Sequence, residues 1–486
     1  MSRALLNTIF VTTLCCTAMT GSAQTCQFAK VAQLPLTWSE EGLQPVVEGA
    51  INGTKAPLLF DTGNTSTSLT RSAVRQFGLP LESADGHFYG VGGVSDSYAT
   101  TLKEFAIGPM TVNGISLHVL GDLSSDGEYA GLIGADFALQ MDLEVWLAQK
   151  QINFFRTRDC DNAFLGYWDK DAMEVPLIRF ASDKRPFVTV ELNGMKINAI
   201  VDTGASTSAV TRKAAERAGV KLDDSNASEQ ISGIGREHLQ SWRAKFQFKL
   251  GDEIIQNAPI TVMEKEFAIH DDASMLLGQD WLRAHRVLFS RSQMRMIFSY
   301  LGGSVFPKDS DAPWFAKDAE DGMASAQYAM ARYRAYNGDY AGADNWLRKA
   351  AAQGHINANL DLARGLMEHQ RYAEAEARLQ EGVKRQPANA HLALWLYLAQ
   401  FQTGGESKAA ATLASNKTID PEYWPHSLVN FYLGRASRED VVTEAKRYGG
   451  DLCDADYFMK FWKAVHGDAA SQQTLKESGP AACGSH

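Results

Sequence analysis

The sequence predicts a multidomain protein with two mostly-β domains in tandem, related by a pseudo-twofold axis as one bilobal unit, followed by an all-α helical repeat domain. A duplication supports this: Asp-Thr-Gly occurs at residues 61–63 and again at 202–204, an offset of 141. Apolar residues alternate with period two around both copies, as is typical of strands. From residue 324 onward the chain becomes Ala-rich and its period helical.

The duplication extends beyond the motif without a gap. An acid at the same place in two copies lets the chain build one site from both, and two facing carboxylates sharing a proton have separated pKa values. The matched pairs include Pro35 with Pro176, Leu36 with Leu177, Pro45 with Pro186, Thr70 with Thr211, Arg71 with Arg212, and Gly78 with Gly219.

Each Asp-Thr-Gly motif is expected in the loop after a strand. Apolar alternation runs over residues 46–60 and 188–201, with Asn-Gly in the middle at 52–53 and 193–194. Asn-Gly between two alternating runs is a strong hairpin signal. A short helical stretch follows each motif and should end near Gly78 and Gly219, because glycine commonly follows a helix C-terminus.

Two further elements recur in the same order. Glycine-bearing segments at 90–93 and 233–235 lie between stretches of strand character, at an offset of 143. Two apolar residues and a glycine then occur at 132–134 and 276–278, at an offset of 144. A few residues inserted in loops of the second copy explain why the offset increases from 141 to 143 and 144.

The ordered set of motifs resembles the retropepsin-like and pepsin-like aspartic proteases, in particular bacterial tandem members, from Leu34 to Phe298. A duplicated β domain with coincidental motifs is the alternative. The resemblance implies an aspartic endopeptidase in which Asp61 and Asp202 activate a water and protonate the leaving nitrogen. The supporting roles that it implies are hydrogen bonds across the dyad for Thr62 and Thr203, close backbone approach for Gly63 and Gly204, flaps for Gly90, Gly92, Gly93, Gly233 and Gly235, and packing against the Asp loops for Gly134 and Gly278.

One position departs from the family pattern. The second motif is followed by Ala205, whereas the first is followed by Asn64, where the family usually has Ala or Ser. The Asn64 side chain is expected either to hydrogen-bond the outer carboxylate oxygen or to change the pKa values of the dyad. Two other functions stay open: a non-catalytic peptide-binding protein, and a protein-interaction module in which the β half is a scaffold.

Composition excludes several classes of function. A formal net charge of −10 and the lack of a dense Lys/Arg run argue against a nucleic-acid partner. The 11 histidines show no HExxH spacing, no dinucleotide fingerprint is complete, and no Gly-x-Ser-x-Gly occurs, so neither a metal nor a cofactor is predicted. The predicted partners are a peptide or protein substrate and a protein that binds the helical repeats.

The N-terminus has the pattern of a secretory signal peptide. Arg3 precedes an apolar stretch, and small residues at 21–23 suit cleavage, so we expect an exported protein, periplasmic or secreted, with no membrane association after cleavage. A membrane anchor is the alternative. Export and an even number of remaining cysteines predict two disulfides, Cys26 with Cys160 and Cys453 with Cys483.

These patterns divide the chain into five predicted parts: a signal peptide at 1–23, β domains at 24–170 and 171–305, a linker at 306–322, and a tetratricopeptide-like helical domain at 323–486. The helical assignment follows from two similar segments 32 residues apart, at 338–341 and 370–373, with an irregular bundle as the alternative. We expect the repeats to select substrates without taking part in the chemistry; a role in bracing the second β domain is the alternative.

Because one chain supplies both carboxylates, we predict that the active species is a monomer. Activity per molecule should then stay constant on dilution, with sedimentation showing a single chain. A steep loss of specific activity on dilution, together with a sedimenting dimer as the active species, would contradict the prediction.

Overall fold

A computed structural model of the chain describes residues 25–473, apart from 41, 122–127, 181–182, 224–228, 232–233, 235–238, 268–271, 308–310, 449–451 and 472. The predicted signal peptide therefore lies outside the described residues, as do Cys483, Gly233 and Gly235. No described helix combines the length and the apolar character that crossing a membrane requires.

The first lobe is built on a sheet that contains eight strands in the described part of the chain. In order across the sheet these are β2 (Thr37–Trp38), β3 (Pro45–Ile51), β4 (Thr54–Phe60), β9 (Gly131–Ile133), β5 (Ser68–Thr70), β8 (Met110–Leu120), β7 (Gly93–Ile107) and β6 (Glu82–Gly90). Two short helices complete the lobe, α1 (Arg71–Gln76) and α2 (Ala135–Ala138).

The second lobe repeats this arrangement with seven described strands. In order across the sheet these are β13 (Phe187–Leu192), β14 (Met195–Val201), β19 (Met275–Leu277), β15 (Ala209–Thr211), β18 (Glu253–Met263), β17 (Leu239–Leu250) and β16 (Glu229–Ile231). Its helices are α3 (Arg212–Arg217) and α4 (Gln279–Leu282). The second copy of the sequence thus folds as the first does.

A third sheet joins the two lobes, and the sequence did not predict it. Its strands, six in the described residues, are β1 (Gln27–Pro35), β11 (Gln151–Arg158), β10 (Asp142–Trp146), β20 (His285–Ser290), β21 (Arg295–Tyr300) and β12 (Met173–Pro176). The lobes meet where β10 pairs antiparallel with β20, with Leu143 opposite Phe289 and Val145 opposite Val287. A one-turn 3₁₀ helix, Leu147–Gln149, links β10 to β11.

The predicted hairpins and helix ends are confirmed. Asn52 and Gly53 have φ values of 49° and 79°, and the equivalent Asn193 and Gly194 have 51° and 81°. Two consecutive positive φ values are what a tight two-residue hairpin turn requires. The helices α1 and α3 each begin after a threonine, Thr70 or Thr211, whose hydroxyl accepts a hydrogen bond from a first-turn N–H.

An all-helical region follows the lobes. Its described helices are α5 (Ala316–Glu320), α6 (Ala324–Tyr336), α7 (Tyr340–Ala352), α8 (Ile356–Glu368), α9 (Tyr372–Arg385), α10 (Ala390–Ser415), α11 (His426–Tyr432), α12 (Arg438–Tyr448) and α13 (Leu452–Val465). The helices α6 to α9 begin at a regular interval of 16 residues, which agrees with the 32-residue period. Their assignment as tetratricopeptide-like repeats stays a prediction.

In the segment predicted as a linker, 306–322, described residues on both sides of 308–310 pack against the rest of the protein. Phe306 is buried and its ring contacts that of Phe248 in the second lobe. Trp314 lies between Trp38 and Arg283, whose guanidinium is 3.2 Å from the centre of the Trp314 ring. The segment packs in this way because its apolar and aromatic side chains are more stable against the lobes than in water.

The helical region docks on both lobes through a strap, which we define as residues 38–40 and 42–44. Trp38 Nε1 donates to Asp318 (2.9 Å), and Glu40 accepts from the N–H of Ile356 at the start of α8 (2.9 Å). At its other end the strap reaches the second lobe, where Arg283 donates to the carbonyl of Leu43 (3.1 Å). These contacts favour the bracing role for the helical region.

A disulfide joins Cys26 at the start of β1 to Cys160 after β11, as the sequence predicted. It ties together two strands that already pair in the shared sheet. Cys453 is also disulfide-bonded. Its predicted pairing with Cys483 falls outside the described residues and stays a prediction.

A buried ion pair also holds the helical region to the first lobe, and we predict that it contributes to stability. Arg71 Nε lies 2.9 Å from Asp420 Oδ2, with side-chain exposures of 8% and 15%. Replacing Asp420 by Asn removes the nearest anion from the buried Arg71 and leaves only the exposed Glu422 at 3.5 Å, so the free energy of unfolding in urea should fall by about 3 kcal/mol.

The matched control is Glu48→Gln, which breaks the exposed pair between Glu48 and Lys55. That change should alter the free energy of unfolding by no more than about 0.5 kcal/mol. Equal effects of the two substitutions would show that the Arg71 pair does not stabilise the docking.

Candidate active site

Each Asp-Thr-Gly loop is held by the strand that precedes it. The strands β4 and β14 run parallel to β9 and β19, deep in their lobes, where Phe60 and Val201 are fully buried. The N–H of Asp61 donates to the carbonyl of Ile133 at 3.0 Å, and the N–H of Asp202 donates to that of Leu277 at 2.9 Å. The two loops thus leave their sheets at equivalent points.

Thr62 and Thr203 interlock the two loops. The N–H of each threonine donates to the hydroxyl of the other, at 3.0 and 3.1 Å. Each hydroxyl then donates across the lobe boundary, Thr62 to the carbonyl of Val201 at 2.7 Å and Thr203 to that of Phe60 at 2.6 Å. Both side chains are fully buried, so these four hydrogen bonds are shielded from water.

Backbone N–H groups orient the two carboxylates in the same way. Asp61 Oδ1 accepts from the N–H groups of Gly63 (2.9 Å) and Asn64 (3.0 Å). Asp202 Oδ1 accepts from those of Gly204 (2.8 Å) and Ala205 (3.1 Å). One oxygen of each carboxylate is therefore fixed within its own loop.

The Asn64 side chain does not contact the carboxylate. Its amide nitrogen donates to the carbonyl of Ser66 at 3.0 Å, and only its backbone N–H reaches Asp61. The expectation of a side-chain hydrogen bond to the outer carboxylate oxygen is therefore wrong. The amide is satisfied locally, two residues along its own loop, as Asn side chains often are in turns.

The motif glycines are needed for a reason that the sequence only partly predicted. A Cβ atom on Gly63 would lie 2.2 Å from Cγ of Asp202, and one on Gly204 would lie 2.5 Å from Cγ of Asp61. Each glycine thus makes room for the carboxyl of the opposite lobe, in addition to bringing its N–H close to its own aspartate. Only residues without a side chain allow the two carboxyls to meet.

The two carboxyls are buried and coupled. Burial raises the pKa of Asp61 well above its usual value, and the negative charge of Asp202 raises it further. Burial also raises the pKa of Asp202, while N–H donors and the nearby Arg185 act against that rise. Two like charges at close range in a low-dielectric site favour a state in which the pair retains one proton.

Gly134 and Gly278 bring a second loop of each lobe against the Asp loops. A Cβ atom on Gly134 would lie 2.5 Å from the backbone of Ser66, and one on Gly278 would lie 2.8 Å from that of Ala205. The N–H of Gly134 donates to the hydroxyl of Thr67 at 3.1 Å, and that of Gly278 to Ser208 at 2.9 Å. Both glycines thus lie where the sequence placed them.

A cavity of about 320 Å³ opens above the dyad. Its floor includes Asp61 and Asp202, and the hairpin of β6 and β7 covers it, with Gly90 paired with Gly93 at the tip. Its walls are mainly apolar or aromatic: Leu59, Tyr89, Val91, Tyr129, Leu132, Ala209, Ile234, Met263 and Leu276. Such a lining suits apolar side chains of an extended ligand.

The flap of the first lobe touches its counterpart in the second. The N–H of Gly92 donates to the carbonyl of Ile234 at 2.9 Å, and a Cβ atom on Gly90 would lie 2.1 Å from the same oxygen. Ile234 lies between Gly233 and Gly235, which themselves fall outside the described residues. Among the described residues, this contact joins the two lobes at the wall of the cavity that contains the dyad.

The sequence did not single out Gln44 and Arg185. Gln44 Nε2 donates to the carbonyl of Gly204 at 2.8 Å, and Arg185 Nη1 lies 3.4 Å from that of Gly63. Their equivalence was available from the offset of 141, since each precedes one of the matched prolines. Arg185 is only 4% exposed, although charged side chains usually lie at the protein surface.

The comparisons with known proteins agree with this site. Residues 47–137 and 188–281 both match the aspartyl protease family model. The matched segments include both Asp-Thr-Gly motifs and, in full, the elements that position them. The chain therefore consists of two tandem, mostly-β, protease-like regions followed by an all-helical region.

The curated relatives are fungal. The chain is 26% identical over 148 residues to DNA damage-inducible protein 1 of Chaetomium globosum, covering 29% of this chain and 32% of that protein. It is 33% identical over 128 residues to the UBA domain-containing protein Mud1 of Schizosaccharomyces pombe, covering 25% and 37%. The chain thus spans about a third of the length of these relatives.

Two predictions need correction against these relatives. The relatives are eukaryotic, so the bacterial affiliation suggested by the sequence is not supported. The predicted exported, periplasmic location is wrong, because the matching relatives are intracellular proteins. Among solved structures, an aspartic proteinase from Irpex lacteus aligns with a TM-score of 0.36 at 12% identity, covering 58% of this chain and 100% of that one.

We predict that Gly63→Ala disrupts the dyad. The new methyl group would overlap the Asp202 carboxyl, so one of the two Asp loops must move, and peptide cleavage should fall at least about a hundredfold, as expected when catalytic groups are displaced by about 1 Å. The measurement is kcat/KM on a peptide substrate, with thermal unfolding of the same variant.

Gly365→Ala is the matched control, because Gly365 lies within α8 and a Cβ atom there meets nothing within 4 Å. It should leave cleavage unchanged and raise helix stability slightly, by up to about 1 kcal/mol. Normal kcat/KM in Gly63→Ala would show that the carboxyls do not need this close approach.

Proposed function

We propose that the protein is an aspartic endopeptidase in which Asp61 and Asp202 together hydrolyse a peptide bond. The observation that carries the proposal is the mutual approach of the two carboxyls, each packed against the motif glycine of the other lobe. A peptide-binding protein without catalysis has no need for two buried acids in this arrangement, whose burial is unfavourable.

The chemistry follows from one proton shared by the pair. The ionised carboxylate accepts a proton from water as the water oxygen bonds to the peptide carbonyl carbon, and the protonated carboxyl donates to the carbonyl oxygen. The carbon–nitrogen bond then breaks as one carboxyl donates its proton to the leaving nitrogen and the other carboxylate takes a proton from a hydroxyl of the intermediate. Thr62 and Thr203 do not take part in these transfers; they hold the loops at the distance that the transfers need.

The substrate is an extended peptide with apolar side chains near the scissile bond. The cavity has one group of apolar residues from each lobe, Leu59 and Leu132 on one side of the dyad and Met263 and Leu276 on the other. A covering flap excludes water from the reacting groups. Tyr89 on the flap is 55% exposed and available to contact a bound chain.

The helical region braces the catalytic lobes in this proposal. Besides the Arg71–Asp420 ion pair, the strap links α8 to the loop of Asp202: Glu40 contacts α8, while the carbonyl of Gly42 accepts from Ser206 at 3.3 Å. A protein partner on the helices, expected from the sequence, stays a proposal. The exposed Tyr336 and Tyr340, at 92% and 74%, flank the turn between α6 and α7 and offer contacts for it.

We predict that Asp61→Asn and Asp202→Asn each reduce kcat/KM by several orders of magnitude, because either change prevents the pair from sharing a proton. The assay is digestion of a peptide library, with cleaved bonds identified by mass spectrometry. Asp142→Asn is the control, since this buried acid lies in the shared sheet and accepts hydrogen bonds from Thr157 and Ser292.

The control should cleave at the wild-type rate. Near-wild-type cleavage by Asp61→Asn would contradict a shared dyad. A wild-type protein that binds apolar peptides tightly but cleaves none of the library would favour the non-catalytic peptide-binding alternative.

A further inference from the structure

Gln44 and Arg185 occupy equivalent positions in the two lobes but differ in charge. Both precede the matched prolines at the offset of 141, and both lie against the glycine carbonyl of the opposite motif. The geometry of the contact is thus repeated by the duplication. The positive charge is present on one side only.

Arg185 is fixed by an ion pair within its own turn. Its Nε lies 3.1 and 3.0 Å from the two carboxylate oxygens of Asp183, and its Nη2 lies 2.6 Å from Oδ2. The side chains of the pair are only 3% and 8% exposed. The guanidinium also lies 5.6 Å from the centre of the Phe187 ring. A buried, multiply bonded cation of this kind does not move freely.

This cation lies beside the dyad. It contacts the carbonyl of Gly63, against which the Asp202 carboxyl packs, whereas the neutral Gln44 contacts the carbonyl of Gly204, against which the Asp61 carboxyl packs. Burial raises the pKa of both carboxyls; the Asp202 charge adds to the rise at Asp61, and the Arg185 charge acts against the rise at Asp202. In the same lobe, Asp280 in α4 and Arg283 directly after α4 are buried and interact with each other. At the equivalent place in the other lobe, Gln44 is neutral and contributes no such charge.

We propose that the buried Asp183–Arg185 ion pair distinguishes the two carboxyls of the dyad, placing the negative charge on Asp202 and the shared proton on Asp61. This proposal rests on the proposed function. Asp183 and Arg185 are positioning residues in it: they act through Asp202 and do not touch the substrate's reacting atoms.

The assignment gives each acid a role. Asp202 accepts the proton of the attacking water while Asp61 donates its own proton to the carbonyl oxygen. When the carbon–nitrogen bond breaks, Asp202 passes its proton to the leaving nitrogen and a hydroxyl of the intermediate returns one to Asp61. The pair ends as it began, with one proton on Asp61, so no other acid or base is required.

The test is the pH profile of kcat/KM, whose acid limb reports protonation of the ionised carboxylate. Arg185→Gln removes the cation and should move the acid limb to higher pH by roughly half a unit or more. Asp183→Asn leaves the cation unopposed and should move it to lower pH. Arg185→Lys keeps the charge and should leave the limb close to its wild-type position.

If Asp183 and Arg185 had only a structural role, replacing one or the other would not move the acid limb in opposite directions. Loss of activity in both variants with an unmoved limb, or a shift in the same direction, would overturn the proposal. Wild-type cleavage and its loss in Asp61→Asn are measured first, so an unmoved limb counts against the ion pair and not against the dyad.

If the variants of the buried pair do not fold, Gln44→Arg provides an independent test on the less buried side. A cation there should make the pair lose its shared proton more easily. The basic limb of the kcat/KM profile should therefore move to lower pH. An unmoved basic limb in this folded variant would overturn the proposal, because charge at the equivalent position would then have no effect on the dyad.

Discussion

The reciprocal hydrogen bonds between Thr62 and Thr203 are the constraint on which the site depends. They cross the boundary between the lobes four times in a region shielded from water. They hold the two buried carboxyls close enough to share one proton, because two ionised carboxylates would repel each other strongly where the dielectric is low. The missing side chains of Gly63 and Gly204 then let the carboxyls meet. The threonine hydrogen bonds, the two motif glycines and the two aspartates thus form one structural unit.

Much of this was predictable because the chain repeats itself. The offset of 141 identified both acids, the Asn-Gly hairpins and the short helices, offsets of 143 and 144 identified the glycine loops, and period-two alternation placed each motif after a strand. The shared sheet was not predictable, since its central contact joins Val145 to Val287, residues far apart in sequence. Arg185 was missed for a similar reason: only the fold shows that its charge is buried near the dyad and not in solvent.

Composition did not predict how closely the linker segment and the helical region pack against the lobes. The linker was predicted from Pro307 and Pro313, but the aromatic residues next to these prolines, Phe306 and Trp314, contact Phe248 and Trp38 and do not form a free connection. Contacts of Glu40, Leu43 and Gly42 then link α8 to the Asp202 loop. Of the two roles that the sequence left open for the helical region, these contacts favour bracing of the lobes over substrate selection.

The central claim, that the folded protein holds a proton on two facing carboxyls, is tested most directly by the free energy of unfolding as a function of pH. Because folding raises the pKa of both acids, their contribution to stability is present below the unfolded pKa of about 3.9 and is lost as the pH rises above it. The account predicts that wild type loses stability relative to Asp61→Asn as the pH rises from about 4 towards 7, with proton uptake on folding. A difference between the two proteins that does not change with pH would contradict it.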